Sequence, residues 1–410
     1  CSEAEALERQ RTGQLDRLEW AAAAAPGRPV ADFALATKKY RRSAAGRRYS
    51  PAEVRTPAAC WRTLDFLLTE ALDAEDASRR PMFAHAPASF AEVYAYLRDR
   101  TRAVRADLLL QRPRSLEAPE FARAHECCLR FELLSRALLL RDGPAAYDEK
   151  LGAEAMSSVI GPLMDAYRVA PCAAGAQAGL EGICVDAHRF ATPAEPAIRR
   201  YVVLLLLASS PESVAEQLAT WDRRQLGSAP VQFAIRVCAA FLAEDYAGFL
   251  RAYREADFLT AAAMSGLADL ARLRALWMLA RASPQAIADR CPLARITRCL
   301  AFGSSEHARD FLAFHGAAVD ARDGAGLAGA DVLLPRRGAL EAAGGPPPLG
   351  AGALPARCQY PRGRDELLTG KLAAAVQAVG RAGVALGRAD PAPDGAAARG
   401  AAGGQAGERP

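Results

Sequence analysis

The sequence is poor in aromatic residues, with 14 Phe, 10 Tyr and 4 Trp in 410 positions, and rich in Ala. That balance disfavours a β-sandwich and makes helix the expectation throughout. It also lacks a large charge excess: the net charge of +5 is modest for this length, so no global field marks a nucleic-acid binder and local clusters must carry that argument. The 10 cysteines include no Cys-x-x-Cys pair, and the adjacent Cys127 and Cys128 fall in an apolar helical pattern. They read as reduced, buried thiols of a cytosolic or nuclear protein. The longest apolar run, Tyr201 to Ala208, falls well short of the roughly 20 residues a membrane helix needs, so no membrane partner is expected. Cys1 to Arg11 is charged, unlike the basic-then-apolar order of a secretory signal.

Enzymatic fingerprints are missing as well. No Gly-x-Ser-x-Gly, His-Glu-x-x-His, P-loop or Rossmann signature occurs, and the 5 histidines are isolated. Cys184 and His188 share a helical spacing but have no two further ligands, so neither metal nor cofactor is expected. The glycines from Gly324 to Gly329 are not followed by Lys and Ser or Thr, and read as a loop. A non-catalytic protein is the expectation.

The chain is long enough to bury a core without disulfides or metal, as one large domain or two smaller ones. Ser2 followed by Glu5 fits a capping box, and Leu7, Leu15 and Leu18 predict a short helix ending near Trp20. After Pro26, Gly27 and Pro29 comes an extended or irregular basic arm, with Lys38, Lys39, Arg41, Arg42, Arg47 and Arg48 interleaved with Tyr40 and Tyr49. From Pro57 to about Ser283, amphipathic helices alternate with Pro, Gly and Ser punctuation, as in an array of helical hairpins. Two short helices then follow, about Leu293–Phe302 and Ser305–His315, ahead of Val319 and Asp331–Pro335. Helix, helix and ribbon predict a small winged-helix module. A helical stretch about Arg364–Val379 follows a Gly- and Pro-rich insertion.

The expected organisation is therefore all-α: an N-terminal helix and arm over 1–52 and stacked helical hairpins over 53–283. A winged-helix module with its insertion takes 284–380, and a disordered tail 381–410.

One segment is more informative than the rest. Phe90 to Gln111 reads as an uninterrupted helix in which Phe90, Val93, Leu97, Val104 and Leu108 form the buried stripe. Arg98, Arg102 and Arg105 share another face, Arg100 makes four arginines in eight residues, and Asp99 lies three residues before Arg102, within pairing reach. Such a run reads either as a phosphate-gripping stripe or as packing through carboxylates on neighbouring helices. The interspersed Asp99 and Asp107 favour packing.

The stretch Asp99 to Arg105, with Asp107 and Gln111, closely resembles the signature of the SAC3/GANP family. Ala36 to Ala45, Val54 to Pro57 and Thr63 to Glu70 resemble the segments that precede it. Arg130-Phe131, Tyr147-Asp148, Ala194-Glu195 with Tyr201, and Asp245-Tyr246 with Phe249 follow in family order. The likeness covers about Cys1 to Leu372. It departs where Ser2 replaces a proline and Pro196 replaces a phenylalanine.

The resemblance implies a stacked-helix, PCI-type domain capped by a winged helix, in a nuclear scaffold for transcription-coupled mRNA export. It also implies a PCI-type partner protein, a small acidic subunit, and RNA or another nucleic acid. Candidate nucleic-acid contacts are Arg295, Arg298, Arg309, Arg336 and Arg337 around the winged helix, and Lys38, Lys39, Arg41 and Arg42 on the arm. For the arm, packing along the helical domain with Tyr40 as anchor is the equal alternative. Competing assignments are a centrosomal or spindle protein of the same family, and a PCI subunit of a proteasome-lid or translation-initiation assembly. The Asp99 to Gln111 signature speaks against the last.

Overall fold

The computed structural model describes residues 1–22, 29–41, 49–76, 80–84, 88–111, 118–141, 146–177, 190–282, 290–320, 330–333 and 365–388. It is mostly helical. After α1 (Glu3–Arg11) come α2 (Pro57–Thr69), α3 (Phe90–Leu110), α4 (Pro119–Arg141) and α5 (Glu149–Gln177). Then follow α6 (Glu195–Ser209), α7 (Glu212–Ala219), α8 (Arg223–Gly227), α9 (Ala229–Leu242), α10 (Tyr246–Glu255) and α11 (Phe258–Ala282). The chain continues through β1 (Arg290–Pro292), α12 (Leu293–Cys299), α13 (Ser305–Phe314), β2 (Ala318–Asp320), β3 (Asp331–Leu333) and α14 (Glu366–Leu386).

Short polar side chains set the helix starts. Thr56 caps α2 ahead of Pro57, Ser89 and Glu92 form a reciprocal capping box on α3, and Asp245 caps α10. Each supplies an acceptor to an amide that the helix itself leaves unpaired. The replacement of the family's phenylalanine by Pro196 is harmless, because Pro196 lies in the first turn of α6 where no intrahelical donor is needed.

The helices pack in pairs, α2 on α3, α4 on α5, α6 on α9 and α10 on α11. α14 then runs back over α4, α11 and α2. One continuous apolar core, from Leu18 to Ala385, joins these pairs with Leu293, Ile296, Phe311 and Val332 of the terminal module. Full burial of such side chains contributes about 1.5–3 kcal/mol each. Cys127 and Cys128 belong to that core, and burial pushes their thiols up to about 11 and about 12. Among the described residues no helix is long and apolar enough to cross a membrane.

Three differences from the sequence expectations have local causes. The first helix stops at Arg11, not near Trp20, because Gly13 turns the chain with φ +69°. Leu7 is thus exposed, whereas Leu15 and Leu18 are buried after the turn. Second, the terminal module contains a strand, β1, that its residues did not announce. It pairs antiparallel with β3, giving a sheet ordered β1-β3-β2. Third, α14 bends at Gly380 (φ 68°) and continues to Leu386, so 381–386, assigned to the tail by composition, are helical. Gly387 closes the helix in the left-handed region at φ 69°. Residues 389–410 lie outside the described residues.

Candidate nucleic-acid interface

The signature helix α3 carries the stripe as expected: Phe90, Val93, Leu97, Val104 and Leu108 are all buried. Arg100, Thr101, Arg105 and Asp107 are buried too, and Arg100 and Asp107 hold the N-terminal layer in place. Arg100 donates through Nη2 to Glu19 at 3.0 Å and through Nε at 3.3 Å, and it also pairs with Asp99. Glu19, completely buried in a single 3-10 turn, further receives Arg9 at 2.6 Å and the amide of Thr37 at 3.0 Å. Burial alone would push the Glu19 carboxyl up. The Arg100 and Arg9 guanidiniums outweigh it and hold it below the ordinary glutamate value of 4.5. The Thr37 hydroxyl meets that of Tyr96 at 2.9 Å, closing the network onto α3.

The other signature residues follow the same inward logic. Asp107 receives Lys38 at 2.6 Å and Nε of Arg55 at 2.7 Å. Gln111 caps α3 and donates to the carbonyls of Arg55 and Asp107, both at 2.7 Å. Arg105 donates to the Ser158 hydroxyl at 2.9 Å, and Arg98 to the Leu151 carbonyl at 2.9 Å, both on α5. Carboxylates on neighbouring helices were expected as their partners; a hydroxyl and a carbonyl take that role instead. The expected Asp99–Arg102 pair is also replaced. Asp99 accepts the Tyr40 amide at 3.1 Å, while Arg102 lies over the Tyr40 ring, 4.1 Å from its centroid. Most of these contacts were not legible in spacing, because their partners, Glu19, Lys38, Tyr40, Arg55, Leu151 and Ser158, come from distant segments.

The arm therefore packs along α3, with Tyr40 half-buried as its anchor. Lys38 is a packing residue: besides Asp107 it binds the Glu53 carbonyl, which leaves its ammonium enclosed. Lys39 and Arg41 make no side-chain hydrogen bond or ion pair among the described residues, and Arg41 is exposed. Arg42 lies outside the described residues.

Around the terminal module, Arg295 and Arg298 are exposed on α12. Arg309 is half-buried and pairs with its neighbour Asp310 at 2.8 Å, which neutralises it. Arg336 and Arg337, and likewise Cys184 and His188, lie outside the described residues. Arg254, which sequence reasoning missed, donates to the Arg298 carbonyl at 3.1 Å and so brings α10 into the same exposed basic face. Nothing in the α10 sequence distinguishes Arg254 from an ordinary surface arginine. Lys371 on α14 donates to the Arg254 carbonyl at 2.7 Å from beneath.

What anchors the module is a second buried arginine. Arg272 of α11 is fully enclosed and donates to Asp269 and Asp365 at 2.9 Å each, and to the carbonyls of Leu300 and Ala301 at 3.1 and 2.7 Å. Asp365 also accepts the Tyr253 hydroxyl at 2.9 Å and caps α14. Its burial works against ionisation, yet Arg272 prevails and keeps the carboxyl below the ordinary aspartate range. Arg272 thus ties α10, α11, the α12–α13 turn and α14 together. Among the described residues there is no group of three or more His, Cys, Asp or Glu placed to hold a metal.

A sequence model of the SAC3/GANP family matches residues 1–321. The chain belongs to the SAC3/GANP family. Its similarity to Protein xmas of Drosophila melanogaster is 26% identity over 296 residues, which covers 70% of this chain and 13% of that protein. The chain thus spans 13% of the length of this relative. The SAC3/GANP match ends just past β2, so β3 and α14 lie beyond it, although Arg272 and Asp365 bind α14 into the same core.

Proposed function

We propose that this SAC3/GANP chain is a non-catalytic scaffold subunit of a nuclear, transcription-coupled mRNA-export complex. The observation that carries the reading is the use of the family signature: Arg100, Arg105 and Asp107 are buried in packing contacts, and Arg98 and Gln111 donate to backbone carbonyls of neighbouring segments. In this reading the paired helices of 53–283 form a PCI-type domain. The β1-α12-α13-β2-β3 unit is a winged helix seated on its end, with the module boundary at 284. Its ligands are a PCI-type partner, a small acidic subunit and single-stranded RNA.

The nucleic-acid face in this proposal combines Arg295 and Arg298 of α12 with Arg254 of α10, since these are exposed and adjoin one another. Arg309 and Lys38 are left out because carboxylates already neutralise them. Two measurements test the reading. Affinity purification of the tagged chain should recover a PCI-type protein and a small acidic subunit; recovery of centrosomal proteins alone would replace it with the centrosomal assignment. RNA affinity should fall with salt, and the Arg295→Glu/Arg298→Glu variant should lower it while making the salt dependence shallower by about two charges. Indifference to that change removes the module from the nucleic-acid face.

A further inference from the structure

A groove of about 390 Å³ lies between the N-terminal arm and α3, outside the terminal module. Its acids are already engaged. Asp107 is neutralised by Lys38 and Arg55, Glu53 accepts the Ser50 amide at 2.9 Å, and Glu5 accepts the Lys39 amide at 3.3 Å. Of its cations Lys38 is engaged as well, but the others keep unused donors. Lys39 and Arg41 line it with no side-chain hydrogen bond or ion pair among the described residues, and Arg55 lines it with both terminal guanidinium nitrogens lacking a hydrogen-bond partner. Those two nitrogens are also shut off from water, an expensive state for a charged group. The groove is therefore electropositive and one anion short of satisfaction.

Besides Cys1 and Ser2, the rest of the lining is apolar and aromatic. Ala103 and Ala106 of α3 line the groove together with the half-exposed Leu110, Tyr40 and Tyr49. Arg102 over the Tyr40 ring holds that ring in place. Cations together with aromatic and apolar side chains match a ligand with an anionic head and a planar body. The volume falls at the small end of ligand pockets, suited to one such unit and not to a duplex.

We propose that this groove binds a single phosphorylated nucleoside unit, its phosphate held by Lys39, Arg41 and Arg55 and its base stacked beside Tyr49. With Nε bound to Asp107, the terminal nitrogens of Arg55 are the donors it has left for the phosphate. Stacking on tyrosine is sequence-tolerant, so the site discriminates little between bases. The inference deepens the nucleic-acid reading above and rests on it for one source of the ligand, an unpaired residue of RNA; the other source is a free mononucleotide.

The test uses the full chain and fluorescence anisotropy of a labelled ten-nucleotide uridine oligoribonucleotide, with uridine monophosphate and inorganic phosphate as separate competitors. Tyr49→Ala should weaken oligonucleotide binding about tenfold. Lys39→Gln/Arg41→Gln should do the same and make the salt dependence shallower by about two charges, with the melting temperature unchanged. Arg55→Lys keeps the pair with Asp107 but should lose affinity. If the oligonucleotide binds but only Arg295→Glu/Arg298→Glu weakens it, the groove is overturned and the broader nucleic-acid reading stands. If the mononucleotide binds in a Tyr49-dependent manner while the oligonucleotide does not bind, the groove stands with the free nucleotide as its ligand, and the RNA reading falls. Inorganic phosphate competing as well as the mononucleotide overturns the nucleoside part, and no binding by any of the three overturns the proposal.

Discussion

Arg100 donates to Glu19 at 3.0 Å across 81 positions of the chain, and neither side chain is open to solvent. This pair fastens the N-terminal layer to the signature helix, with Arg9 and Thr37 filling the remaining acceptor positions on the carboxylate. A buried pair adds little over a well-packed apolar one, but removing one partner leaves an uncompensated charge.

Glu19→Gln should therefore destabilise the protein by about 3–5 kcal/mol, read as a fall in the urea midpoint, because it strands Arg9 and Arg100 together. Arg100→Lys should be milder, at about 1–2 kcal/mol, since the charge remains and the forked contact is lost. Equal effects of the two would show that fork geometry, and not charge alone, is what the site requires.

The pH dependence has two opposing parts. The folded-state value of Glu19 is depressed, so its contribution is complete above the ordinary value of 4.5 and is lost as pH falls through the folded value. Glu132 is the reverse: burial beside Tyr94 raises it, so its contribution is complete below 4.5 and is lost as pH rises through the raised value. Glu132→Gln, which keeps an acceptor for the Tyr94 hydroxyl at 3.0 Å, should gain stability relative to the parent as pH rises from 4.5 to 8. Glu19→Gln should flatten the acid limb. Urea midpoints at several pH values check both, and parallel curves for either variant would refute its half.

Asp365→Asn keeps a cap on α14 but withdraws the charge that Arg272 faces. A loss of about 3 kcal/mol is expected. Amide exchange should report it first in 366–386 and in the α12–α13 turn, before α3. Uniform loss of protection across the chain would mean that the clasp is not a local one.

Two glycines should respond with opposite signs. A Cβ on Gly303 would lie 2.6 Å from the Leu367 amide nitrogen, so Gly303→Ala should cost about 1–3 kcal/mol by forcing α14 away. Gly370, inside α14, has open space around it, and Gly370→Ala should stabilise by about 1 kcal/mol. Thermal melts of the two variants separate the cases.

Much of this architecture was legible before any coordinates. The stripe of α3, the two short helices and the ribbon segment of the terminal module all rest on local periodicity and capping. Such signals act within a few residues and need no knowledge of the fold. The β1 strand escaped because a three-residue strand has no period of its own and exists only through β3. The partner of Lys38 was not legible, because Asp107 lies 69 positions away, whereas that of Arg309 is its sequence neighbour Asp310.

The sequence by itself determined the helical class, the cores of most helices and the family. These follow from propensity, spacing and a motif in which residue types and order are enough. Only the tertiary structure decided which arginines are interior struts and which face solvent. It also decided that Arg272 binds the terminal module to the helical stack, and that the arm leaves an electropositive groove against α3. Those outcomes depend on Coulomb and desolvation energies between groups tens of residues apart, and such energies take a sign only once the fold has brought the groups together.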